Sequence, residues 1–106
     1  MYSIVRTISE TYTDLDNFKA SPIWQVVENQ RTTSGTDVQT ECIINSAGKV
    51  AVIHKHADIN TLNSYFSGAI ARFRERLRAA TGRNGFVAER FEFNSQSALD
   101  SFKSNF

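Results

Sequence analysis

Six spans of this chain carry regular hydrophobic patterning, and they follow one another as strand, helix, strand, strand, long helix, strand, with a short apolar tail behind them. That order constrains the fold more than any motif within it. A β-α-β-β-α-β succession predicts an α+β domain whose four strands form one antiparallel sheet with the helices laid against it. The same frame carries enzymes, RNA binders and ligand-binding dimers, so function has to be sought in individual side chains.

Strand one is expected over residues 2–8, where Tyr2, Ile4, Arg6 and Ile8 share one face and Ser3, Val5 and Thr7 the other. Thr13 is expected to cap a first helical stretch carrying Asp14 and Asp16 in its opening turn. Ser21-Pro22 marks a fresh helix start, with Ile23, Val26 and Val27 at helical spacing after it and Gly35 as its left-handed stop. Strands two (38–44) and three (49–56) read as a hairpin with a three-residue loop, Ser46 to Gly48. That register pairs Ile44 with Val50, Cys42 with Val52, Thr40 with His54 and Val38 with His56, and leaves Ile43, Ala51 and Ile53 on the opposite face. With both faces apolar, the second face is expected to be covered by something the single chain does not supply. Asp58 caps the long helix, whose stripe runs through Ile59, Leu62, Phe66, Ala69, Ile70, Phe73, Leu77 and Ala80. Strand four follows at 86–93, and Leu99, Phe102 and Phe106 give the tail, 95–106, a short helix with an apolar edge. The whole chain, 1–106, reads as a single domain with its core in 1–94.

Composition narrows the class. Hydrophobic residues make up 41% and charged residues 22% of 106 residues, the balance of an ordinary soluble domain that folds without staples. The lone Cys42 cannot form an internal bridge, and no export signal or membrane-length apolar run is visible, so a cytoplasmic protein without membrane contact is expected.

Few residues stand out as chemistry. His54 and His56 lie two apart on a strand and so point to one side, where two imidazoles could hold a metal. A third ligand is missing, and the reading taken is a hydrogen-bonded His54 inside the fold with a half-exposed His56 and no bound metal or other cofactor. Arg72, Arg74, Arg76, Arg78, Arg83 and Arg90 make up half of the basic residues. At about 100° per residue the helical ones spread around the axis, and a net charge of +1 draws no phosphate from afar, so nucleic acid is not expected as a partner. Trp24 reads as a core-edge or interface aromatic, or else as the wall of a ligand pocket. No nucleophile elbow, phosphate-binding loop or Cys-x-x-Cys is present, and no catalytic residue is assigned.

Over residues 1–94 this order of elements resembles the dimeric α+β barrel group of the ferredoxin-like superfamily, above all its small homodimers, and more weakly the antibiotic-biosynthesis-type monooxygenases. The resemblance implies a homodimer in which two sheets pack together, covering the second face, with a pocket between each sheet and its helices. A non-enzymatic homodimer would hold a small apolar, aromatic or acyl-chain ligand against Trp24, His54, Tyr65, Phe66 and Ile70. The alternative is a cofactor-free or haem-dependent monooxygenase using His54 as base or ligand; the resemblance associates that activity with an Asn, Trp and His constellation, of which Trp24 and His54 are present while strand one offers no Asn.

Overall fold

The hairpin sets the sheet. In this computed structural model, which describes residues 1–67, 78–79 and 87–106, β2 (Gln39–Ile44) and β3 (Lys49–His56) pair antiparallel with Ile44 opposite Val50, Cys42 opposite Val52 and Thr40 opposite His54. The loop closes on itself. Asn45 Oδ1 accepts from the backbone N–H of Ala47 and of Lys49, and Gly48 turns the chain at φ +82°. Gly48 is held to glycine twice over, because a Cβ there would also lie 2.6 Å from the Tyr12 carbonyl oxygen.

β1 (Tyr2–Thr11) lies beside β3, and β4 (Val87–Phe93) lies on its other side, giving the antiparallel order β2-β3-β1-β4. This is the order a β-α-β-β-α-β chain takes when its two split units interleave, and it is compatible with the ferredoxin-like arrangement. The sheet stays open, with β2 and β4 as its edges. Alternation along β1 divides its residues as the sequence predicts: Ile4 and Ile8 enter clusters on one face, Val5 the cluster on the other. Val87 falls past a register shift against β1 and is left exposed.

Helices cover the first face. α1 (Leu15–Lys19) is capped by Asp14, not Thr13, since Asp14 Oδ1 accepts from the Asn17 N–H at 2.7 Å and a carboxylate suits the positive helix end. α2 (Pro22–Thr33) starts at the Ser21 cap with Pro22 in the first turn, and Gly35 at φ +70° follows its end. Phe18, Ile23, Val26 and Val27 from these helices close over Ile8, Val50 and Val52. The described turns of the long helix form α3 (Ile59–Ser67), where Asp58 accepts from the Asn60 N–H and the Thr61 hydroxyl. Leu62, Tyr65 and Phe66 pack there with Ile4 and Val38. The rest of the predicted stripe, Ala69, Ile70, Phe73, Leu77 and Ala80, lies outside the described residues.

The second face is where the structure corrects the sequence reading. The chain itself supplies cover: the tail folds as α4 (Gln96–Asn105), capped by Ser95, and lays Leu99 on Val5, Ala51 and Ile53. All four are fully buried. Phe102 and Phe106 extend the contact over Phe91 and Phe93, with Phe102 5.2 Å from Phe91 and 5.6 Å from Phe93. Lys103 reaches Glu41 at 3.2 Å and ties α4 to β2. No helix among the described residues is long and apolar enough to cross a membrane.

Candidate functional site

His54 stands on a central strand between Ile4 of β1 and Thr40 of β2, and its side chain meets α3. Its ring lies 5.3 Å from that of Tyr65 and 5.1 Å, edge-on, from that of Phe66; Tyr65 and Phe66 are themselves 5.3 Å apart. Period two on β3 aims His54 at the helices, and two successive helical residues aim their rings back at it. The three form an aromatic wall.

Two atoms in that wall lack protein partners. His54 Nδ1 and Tyr65 Oη are buried and make no hydrogen bond, although an unpaired buried polar group costs about 1–3 kcal/mol. Native folds leave few such groups, and each calls for an explanation. Burial, with Arg6 close by, lowers the His54 pKa to about 3, so its imidazole is neutral. Burial likewise pushes the Tyr65 phenol up to about 12, keeping it a hydroxyl donor.

Arginines approach the same wall from the sheet. Arg6 Cζ lies over the Phe66 ring at 5.1 Å from its centroid, and Arg90 Cζ at 5.9 Å. Arg6 and Arg90 are direct partners across the β1-β4 ladder, and Arg90 also pairs with Glu92 at 2.8 Å. Arg6 is desolvated enough for its pKa to fall to about 10, with Arg90 adding to the drop and Tyr65 opposing it.

Beside the wall, along the β2 edge, runs an open groove of about 510 Å³ with Glu28, Arg31, Val38, Thr40 and Lys55 in its lining. It adjoins the wall at Val38, which belongs both to the groove and to the apolar cluster of Tyr65 and Phe66. Glu28 bonds Arg31 at 2.8 Å and accepts from the Thr40 hydroxyl at 3.4 Å.

Of the five residues the sequence singled out, the structure brings His54, Tyr65 and Phe66 together. Trp24 sits elsewhere, half-buried against Phe18 at 5.8 Å in the cluster under α1 and α2, and Ile70 lies outside the described residues. His56 is occupied: its Nε2 meets Asp37 at 2.6 Å and its Nδ1 accepts from the Asp58 N–H at 2.8 Å. Among the described residues no group of three His, Cys, Asp or Glu side chains could hold a metal ion. Sequence reasoning missed Arg6 and Arg90 as site residues. The signal for Arg6 was there, since alternation already placed a charged residue on the helix-facing side of strand one between Ile4 and Ile8.

Fold and site together define a small α+β protein with a four-stranded antiparallel sheet and an aromatic, arginine-flanked cluster between sheet and helix. Compared with known proteins, the chain matches no family model, no curated protein and no solved structure.

Proposed function

We propose that this protein binds a small ligand with an apolar, aromatic or acyl body between β1, β3 and α3, against His54, Tyr65 and Phe66. The observation that carries this reading is the pair of unpartnered buried atoms, His54 Nδ1 and Tyr65 Oη, set in an otherwise apolar wall. A few convergent polar groups in an apolar lining are the usual make-up of a small-molecule site. His54, Tyr65 and Phe66 are buried in the ligand-free fold, so a ligand would enter by parting this cluster beside Val38, which also lines the groove. The dimeric barrel that the resemblance implies would set a second sheet against the face that α4 occupies.

The oxygenase alternative asks more of His54 than its surroundings favour. An imidazole whose pKa is about 3 is a weak proton acceptor. Its ring is 1% exposed and stands edge-on to Phe66, which leaves no open face for a haem. Haem therefore does not fit the described residues.

A thermal-shift screen of fatty acids, aromatic acids and their neutral analogues tests the binding reading. The melting temperature is expected to rise with the logarithm of ligand concentration above the dissociation constant. A panel that shifts nothing, together with copurified material free of small molecules by mass spectrometry, would remove it.

A further inference from the structure

β4 is an edge strand of the sheet, and Val87, Ala88, Glu89, Arg90 and Glu92 are exposed along it, with Phe91 and Phe93 half-buried. An edge strand offers a row of backbone donors and acceptors to any chain that matches its pattern, and proteins commonly blunt it with Pro, Lys or a bulge. β4 holds neither Pro nor Lys. Its irregularity against β1 falls between Val87 and Glu89. From Glu89 to Phe93 the ladder is regular, these residues facing Thr7 to Ser3 in turn. That stretch reads Glu-Arg-Phe-Glu-Phe, with Phe91 at its middle and opposite charges, Arg90 and Glu92, on either side.

We propose that β4 is a self-association edge: a second copy of this chain adds antiparallel to it, β4 against β4, about a two-fold axis at Phe91. An axis perpendicular to the sheet keeps the α4 faces of both copies on one side, and directly opposed residues then share a face, so the axis passes through a residue. At Glu89, Arg90 or Glu92 it would set a charge against its own copy, which repels. At Phe93 it would pair only the end of the strand. At Phe91 it uses the whole regular stretch: Arg90 faces Glu92 of the second copy, Glu92 faces its Arg90, and Phe91 faces its Phe91. Arg90 and Glu92 are 45% and 69% exposed, and a surface ion pair so placed is weak enough to be shared across the edge. On the other face Phe91 stands in a half-buried aromatic row with Phe93 and Phe102, which a second Phe91 continues. The β2 edge lacks this match. An axis at Glu41 opposes two carboxylates, one at Cys42 pairs no charges, and Glu41 is already held by Lys55 and Lys103. A strand pair of this length buries well under the about 1,200 Å² of a standard interface, so the contact forms toward millimolar concentration while the chain stays monomeric at micromolar.

Sedimentation equilibrium of the full chain from micromolar to millimolar concentration tests this, with the average mass expected to climb from 11.9 kDa toward twice that value. Arg90→Glu and Glu92→Arg should each weaken the association roughly tenfold, because two like-charge contacts replace two attractive ones. The double variant restores complementarity and should associate like the unaltered chain. So should an equimolar mixture of the two single variants, in which each Glu of one copy meets an Arg of the other; recovery there shows that both variants are folded. A mass that stays at 11.9 kDa throughout would overturn the proposal. So would association that both single variants keep undiminished, which would place the contact away from β4, or a double variant and a mixture that both remain monomeric.

Discussion

Tyr65 sets an unmet polar group inside an apolar cluster. Its ring fills the apolar cluster under α3, but its hydroxyl is buried without a partner. Tyr65→Phe should therefore hold or raise the stability of the ligand-free protein, by up to about 1 kcal/mol on the scale of an unmade buried hydrogen bond. A denaturant midpoint that drops clearly in this variant would show that the hydroxyl is satisfied. His54 is the acid-sensitive residue. Burial lowers its pKa from the ordinary 6.5 to about 3 in the folded protein, so the unfolded chain takes up the proton first as pH falls. His54 thus costs nothing above pH 6.5, and stability is lost progressively as pH falls from 6.5 toward 3. The loss between pH 6.5 and 5 should be roughly 1.5 kcal/mol, the slope approaching about 1.36 kcal/mol per pH unit only well below 6.5. Measured against His54→Gln, a chain with the same slope of unfolding free energy over this range would count against a buried, neutral His54. Gly48 marks a backbone requirement. With φ at +82° and the Tyr12 carbonyl 2.6 Å from where a Cβ would stand, Gly48→Ala should destabilise by more than the roughly 1 kcal/mol typical of a left-handed residue alone.

α4 is the element whose contribution is easiest to isolate. Ser95 opens it as an N-cap, accepting from the Ala98 N–H at 3.2 Å, and Leu99 is its one fully buried side chain. Leu99→Ala should cost 2–5 kcal/mol, the range of about that size seen for buried leucines. Ser95→Ala should cost about 1 kcal/mol through loss of the cap. The exposed Gln96, bonded only to Asp100 on the same helix, should tolerate Ala within about 0.5 kcal/mol. Urea melts of the three variants check the ranking; equal effects would mean that α4 is not docked on the sheet. The hairpin is the opposite case. Its register, its loop and the faces of its side chains all follow from local alternation and one turn, which is why they were legible from the sequence before the sheet was known.

At the scale of the molecule, the two sheet faces are filled by different means. One is closed by α1, α2 and α3, the other by the last helix of the same chain. The expectation of a homodimer rested on an uncovered second face, and with α4 in place that driving force is spent within the chain. Sedimentation of the full chain at micromolar concentration should then give a mass near 11.9 kDa. A chain ending at Asn94 would expose Val5, Ala51 and Ile53 and should associate or aggregate. A dimer mass for the full chain would instead mean that association uses the open edges of the sheet or displaces α4.

Local patterning determined the order of strands and helices, the pairing of β2 with β3, the caps at Ser21 and Asp58, and the alternation that put Arg6 beside Ile4 and Ile8. These depend on neighbours within a turn or a hairpin, where period two, period 3.6 and glycine geometry are sufficient. Tertiary structure alone decided that the tail covers the second face, that Trp24 packs on Phe18 and not on His54, and that Arg90 stands opposite Arg6 over Phe66. Those contacts join residues distant along the chain, Leu99 with Val5 and Arg90 with Arg6. Their partners are chosen by which surfaces remain unburied once the sheet has formed, a quantity that no window of the sequence contains.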